Sequence, residues 1–124
     1  MRDAVKAFKV LSDETRLRIL NLLLERECCV CEVMQALEIS QSKASRGLSA
    51  LYDAGFLQLK KEGLWSLYSI DKESLSGYQH QLIGAVREAL KKNKIAARDK
   101  ERLKKAGRLG PSCSVRIKET LRAG

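Results

Sequence analysis

The stretch Ile39–Leu51, ISQSKASRGLSAL, constrains this chain more than any other. It reads as a turn followed by a helix. Ser40 supplies an N-cap, and Ala44, Leu48 and Leu51 recur at steps of four and three, which gives one buried stripe. Gln41, Ser42, Lys43, Ser45, Arg46 and Ser49 fall mostly elsewhere on the cylinder. A helix face kept merely soluble normally carries Glu/Lys pairs. This one has hydroxyls, an amide and two cations, and no acid. Such a face suits a groove lined with phosphates and base edges, where Gln, Ser, Lys and Arg all find partners. An ordinary solvated face would look similar, so the neighbouring segments decide between the two.

Those segments favour the groove. Arg2–Leu11 has Val5, Phe8 and Leu11 at helical spacing. Ser12 or Asp13 caps a second helix over Glu14–Glu25, apolar on most sides and therefore central to the core. A short helix over Glu32–Leu37 turns at Ile39-Ser40 into the polar helix, which ends at Gly55. Two helices joined by a tight turn, the second polar on its free side, make a helix-turn-helix. FLQLKK and LWSLYSI then read as two strands joined by Glu62-Gly63, with Lys60 and Lys61 at the tip. The expected fold is mainly α with a β-hairpin wing, a winged helix-turn-helix. Ser74 caps a long helix whose stripe of Leu75, Tyr78, Leu82, Val86, Ala89 and Leu90 exceeds what a small core needs, so part of it reads as a subunit seam. Helical pattern continues weakly through Lys91–Lys105, Gly107, Gly110 and Pro111 break it, and 112–124 read as a tail. The expected organisation is a DNA-binding and dimerisation domain over 1–93, then a basic, partly helical or mobile extension over 94–124 that carries Cys113.

Charge supports an anionic partner. Residues 1–86 hold 11 basic and 11 acidic side chains, whereas 87–124 hold 13 basic and 4 acidic, so all of the net +9 lies at one end. A neutral body with a basic end most often meets nucleic acid, although a solvated tail gives the same count. No stretch approaches the roughly 20 apolar residues of a membrane helix. The start lacks an apolar run with a cleavage site, so a cytoplasmic protein is expected. No glycine-rich cofactor loop, Cys/His pairing or obvious carboxylate pair points to an enzyme.

The segments LSDETRLRILNLL (11–23), CVCEV (29–33), LEISQSKASRGLSALYDAGFL (37–57) and KKEGLWSLYSI (60–70) together resemble the ArsR-type (arsenical-resistance) repressor family. The resemblance covers about Phe8 to Ile70 and the long helix after it. It implies a homodimer held by the first and last helices, and a palindromic double-stranded operator released when an inducer binds. Two-fold symmetry would set two recognition helices about 34 Å apart in successive major grooves. By analogy and by face, Gln41, Ser42, Lys43, Ser45 and Arg46 are the candidate contacts. Arg46 suits a guanine edge and Lys43 a phosphate, while Lys60 and Lys61 are candidates for wing–phosphate contact. Gly47 stands where the family usually has His, which removes a possible DNA contact.

Three of the four cysteines, Cys28, Cys29 and Cys31, lie within four positions, and the fourth is Cys113. Buried hydrophobes would explain one of them but poorly explain three at a helix edge. A helix N-terminus is expected to lower a thiol pKa there. Soft thiolates select soft ions. CVCEV closely resembles the CVCDL box of the arsenic-responsive branch, which implies arsenic(III) or antimony(III) as inducer on Cys29 and Cys31. The family prototype's third thiol position is Met34 here, so the third ligand is open between Cys113, slightly preferred, and Cys28. Residues i and i+2 of an α-helix point about 200° apart, so the two sulfurs can share one atom only if the helix start unwinds or is already extended. The family's zinc site on the last helix needs Asp and His pairs; the one His is His80, with Tyr78 two before it, so that site is expected to be absent. Rival readings are a redox- or persulfide-responsive repressor using the C-x-x-C of Cys28 and Cys31, a repressor answering to another metal, a thiol enzyme, and an RNA-binding adaptor acting through the basic end.

Overall fold

The computed structural model describes residues 1–108. Six helices and one hairpin follow in the order α1 (Arg2–Leu11), α2 (Glu14–Leu23), α3 (Val30–Leu37), α4 (Gln41–Asp53), β1 (Leu57–Glu62), β2 (Trp65–Ile70), α5 (Gly77–Leu90) and α6 (Lys94–Lys105). This is a winged helix-turn-helix, mainly α with a β-hairpin.

Local chemistry sets most boundaries. The Asp13 carboxylate accepts from Arg16 N–H at 3.0 Å and opens α2, and Ser40 accepts from Lys43 N–H at 3.2 Å and opens α4. Gly55, at φ +86, lets the chain turn out of α4. Helix α2 runs through the middle of the core. Its Ile19, Leu20 and Leu22 are fully buried, as are Val33 of α3, Leu48 and Leu51 of α4, Phe56, and Leu67 of the wing. Ala44, Leu48 and Leu51 form the inward stripe that the spacing requires.

Several boundaries differ from the sequence expectation. Helix α3 starts at Val30 rather than Glu32, because Cys29 caps it. The hairpin turn is Gly63-Leu64, with Glu62 paired to Trp65. Gly63, at φ +62, takes the position where a primed hairpin turn needs positive φ. Lys60 and Lys61 therefore lie in the strand, not at the tip. Ser76 rather than Ser74 caps α5, through a capping box with Gln79; the Ser74 hydroxyl instead donates to Asp71 O. The segment 94–105 is a separate helix capped by Asn93, which accepts from Ala96 N–H at 3.0 Å. It packs back on α3 and α2. The tail over 112–124 and Cys113 lie outside the described residues.

Helix α1 buries Ala7 and Val10 and leaves Val5 and Phe8 largely open, 42% and 60% exposed. Tyr78 of α5 is open too. The first and fifth helices thus leave these apolar side chains exposed among the described residues.

Candidate thiol site and nucleic-acid face

The site is built at the entry to α3. Cys28 adds its backbone to the wing: its N–H donates to Tyr68 O at 3.0 Å, and Tyr68 N–H donates back to Cys28 O at 2.9 Å. That pairing fixes the segment in an extended conformation. Cys29 follows at φ −88, ψ 171, the extended conformation of a helix cap, and Cys31 already lies inside the first turn. The sulfurs of Cys29 and Cys31 come within 2.8 Å of each other. Of the two geometric routes to a shared atom, the structure takes the second, an entry that is extended from the outset.

Cys31 is disulfide-bonded in this structure. All three thiol residues are buried. Cys28 points its sulfur toward Arg26 O at 3.6 Å rather than toward the other two. Among the described residues, no group of three or more Cys, His, Asp or Glu is placed to hold a metal ion. The donors of Cys29 and Cys31, being sulfur, fit a soft ion in kind.

The expected lowering of thiol pKa at the helix entry is overturned. Burial pushes the Cys28 thiol up to about 12, reinforced by the Glu32 carboxylate. Burial raises Cys29 as well. The helix-terminal charge is fractional and short-ranged, and desolvation outweighs it here. Glu32 is the local anion. It is buried, accepts from Cys29 N–H at 3.0 Å and pairs with Arg26. The pattern Cys29-x-x-Glu32 is a capping box with sulfur in the place of a Ser or Thr oxygen, and read that way the sequence does signal it.

On the other side of the turn, Gln41, Ser42, Lys43, Ser45, Arg46 and Ser49 are all solvent-exposed on α4. Lys43 and Arg46 border an open cleft of about 240 Å³ that Thr15 and Arg16 of α2 share. Arg16 is committed to the end of α1, donating to Val10 O at 2.6 Å and to Lys9 O at 3.3 Å. On the wing, Lys60 pairs with Glu27 at 3.3 Å and Lys61 donates to Ser66 Oγ at 2.8 Å. Gly47 is not on the polar face. It is buried, and a Cβ there would lie 2.5 Å from Ile19 Cδ1. Its departure from the family pattern is thus a matter of packing against α2, not a lost contact to a groove.

The arsR family of bacterial regulatory proteins matches residues 13–64, which is the helix-turn-helix and the first strand of the wing. The chain is 36% identical over 78 residues to the arsenical resistance operon repressor of Bacillus subtilis, covering 62% of this chain and 74% of that protein. The chain belongs to the arsR family. It is also 42% identical over 80 residues to the arsenic resistance transcriptional regulator ArsR1 of Pseudomonas putida, covering 64% of this chain. The alignment spans about six-tenths, 62%, of that protein's own length. Among solved structures, this arsR-family chain is similar to reduced HlyU from Vibrio cholerae, with TM-score 0.60 and 31% identity over 71% of this chain and 88% of that one. It is similar too to the homodimeric winged helix-turn-helix domain Mb0332 from Mycobacterium bovis, with TM-score 0.62 and 26% identity over 75% and 82%. No helix among the described residues is long and apolar enough to cross a membrane.

Proposed function

We propose that this arsR-family chain is a homodimeric transcriptional repressor that binds palindromic operator DNA and releases it when trivalent arsenic or antimony binds Cys29, Cys31 and a third thiol. One observation carries the reading. The two sulfurs of the CVCEV segment lie 2.8 Å apart at the start of α3, and α3 leads through one short turn into the acid-free face of α4. Gln41, Ser42, Lys43, Ser45 and Arg46 serve as the groove contacts, with Lys60 and Lys61 beside the phosphates. Val5, Phe8 and Tyr78 make the seam between subunits, in keeping with the homodimer named for the Mycobacterium bovis domain. No turnover is assigned to the chain.

The third ligand is Cys113, with Cys28 as the alternative. Cys28 is the poorer donor because its backbone is tied to the wing and its sulfur faces away. The raised thiol pKa values are compatible with a metalloid. Each thiol replaces one hydroxyl of neutral arsenous acid, and its proton leaves within the water formed. A divalent cation instead requires each thiol to shed its proton to solvent.

The test is an anisotropy titration on the chain's own promoter DNA under reducing conditions, with arsenite, antimonite, zinc and peroxide added separately. Arsenite and antimonite are expected to weaken binding about 5–150-fold, the range of a 1–3 kcal/mol coupling. The Cys29→Ser, Cys31→Ser double variant is expected to hold DNA regardless. Release of that variant by arsenite refutes the site. The same titration with Cys113→Ser decides the third ligand. Removing residues 94–124 is expected to weaken affinity and flatten its salt dependence while preserving sequence preference.

A second reading has its own support. Cys31 is disulfide-bonded, and HlyU, a structural relative, is described in a reduced form. Oxidation, not metalloid binding, would then be the signal. Release by peroxide but not by arsenite favours it.

A further inference from the structure

Helix α6 carries its cations differently on its two flanks. Ala96, Asp99 and Leu103 are buried, where α6 packs on α3 and α2. At 100° per residue, Lys94, Arg98 and Lys105 fall within about 40° of one another on the open side. All three are exposed, and none forms a salt bridge among the described residues. Lys100 and Lys104 lie on the other flank, about 100–140° around the axis from Lys105. There each is matched to an acid, Lys100 to Glu25 and Lys104 to Glu101, both at 2.9 Å. Glu101, the acid beside the open row, is thereby held on the Lys104 side.

Arg102, one turn after Arg98, shows which way the open row faces. It donates to Ala36 O at 2.6 Å and pairs with Glu38 at 3.3 Å, so this flank looks toward the end of α3, where the chain turns into α4. Helix α3 packs against both α4 and α6. Packed helices lie about 8–10 Å apart, which puts the α6 axis up to about 20 Å from that of α4. The major groove is about 12 Å wide, so a groove that holds α4 has no room for α6. Beside the groove runs the sugar–phosphate backbone. The row rises about 16 Å from Lys94 to Lys105, roughly the axial run of five phosphates on one strand. The face is also pinned in place. Asp99 accepts from Arg18 at 2.9 and 2.8 Å and from Arg102 at 2.9 Å, and its side chain is only 1% exposed. Arg18 donates on to Leu37 O at 3.2 Å. A face already ordered pays less to bind.

We propose that the Lys94, Arg98 and Lys105 row of α6 is a further duplex-binding surface, which grips phosphates flanking the groove that α4 reads. The inference rests on the proposed repressor reading. Contacts to phosphate carry no direct sequence information. The row therefore adds affinity and salt dependence and leaves the choice of operator to α4. In a dimer each cation acts twice, so each position adds about 1.8 to the slope of log affinity against log salt.

The test titrates the reduced full-length chain, by anisotropy, on its promoter duplex and on a random duplex of equal length, between about 50 and 200 mM salt. Arg98→Gln and Lys105→Gln are compared with Lys100→Gln, which removes the same charge from the same helix on the other flank. Arg98→Gln and Lys105→Gln are each expected to weaken both duplexes by about 5–30-fold near 150 mM salt and to lower the slope by about 1–2. Lys100→Gln is expected to change either Kd by less than about 2-fold, and Arg98→Lys, which keeps the charge, is expected within about 2-fold of wild type. No effect of Arg98→Gln and Lys105→Gln overturns the proposal, because the row would then be merely solvated. An equal effect of Lys100→Gln overturns it as well, because net charge alone would explain the loss. A loss confined to the promoter duplex overturns it by placing these side chains on base edges. Failure of Arg98→Lys to restore binding overturns it too, since a phosphate asks only for the charge. A wild type that binds both duplexes equally is a different failure: it removes the repressor reading, while the variants on random duplex still report on the row.

Discussion

Replacing Gly47 by alanine sets two known terms against each other. In a helix interior the change is worth about 0.8–1 kcal/mol in favour of alanine. Against it, the new methyl meets Ile19 Cδ1 at 2.5 Å, with Ile19 Cγ1 and Arg16 Cγ at 3.9 and 3.8 Å. Ile19 is fully buried, so it has little room to yield, and overfilling a packed site costs about 1–3 kcal/mol. The expected result for Gly47→Ala is a loss of about 0–2 kcal/mol. Ile19→Val deletes the offending carbon and by itself costs about 0.5–1.5 kcal/mol. In the double variant the clash is gone and the helix gain survives, so it should be about as stable as wild type. The non-additivity, about 1–3 kcal/mol, is a direct measure of the contact. Urea denaturation of the four proteins at one fixed concentration reads it out. If Gly47→Ala alone gains about 1 kcal/mol and the two changes add, the close approach of α2 and α4 at this point is wrong.

Three further outcomes are expected. Asp99→Ala leaves two arginines facing an emptied buried site and should cost about 3–5 kcal/mol, measured by the same denaturation, whereas Lys104→Ala on the exposed Glu101 pair should cost less than about 1 kcal/mol. The Cys28 thiol ionises near 12 in the fold but in its ordinary range near 9 when unfolded. Its contribution to stability is therefore intact below about pH 9 and is lost as pH rises toward 12, at about 1.4 kcal/mol per pH unit for one group. The stability difference between wild type and Cys28→Ala should shrink by that amount from pH 9.5 to 10.5; a constant difference argues against the burial. Arg46→Ala should relax sequence preference in a competition against random duplex, while Lys43→Ala should weaken all duplexes alike and lower the salt slope by about 1.

Local sequence settled a great deal. Spacing alone puts Ala44, Leu48 and Leu51 inside and the hydroxyls and cations of α4 outside, because helical period and side-chain polarity act on neighbouring residues. Asp13, Ser40 and Gly55 mark helix ends by chemistry that needs no partner distant in the chain. The hairpin is legible too, although its turn is displaced by one residue, since Gly63 suits either placement until the strands choose a register.

What the sequence could not decide involves groups far apart along the chain. Burial of Cys28 and Cys29 beside Glu32 reverses the expected direction of their pKa, because desolvation depends on everything packed around a group and not on its place in a helix. Gly47 looks like a missing surface contact until α2 is seen against it. Asp99 and Arg102 look like ordinary members of a charged run, yet packing of α6 on α3 buries one and aims the other at a turn 64 residues away in sequence. Periodicity could name the helices and the face of the fourth; only the folded chain could say which charges would be taken out of water, and what they would hold once there.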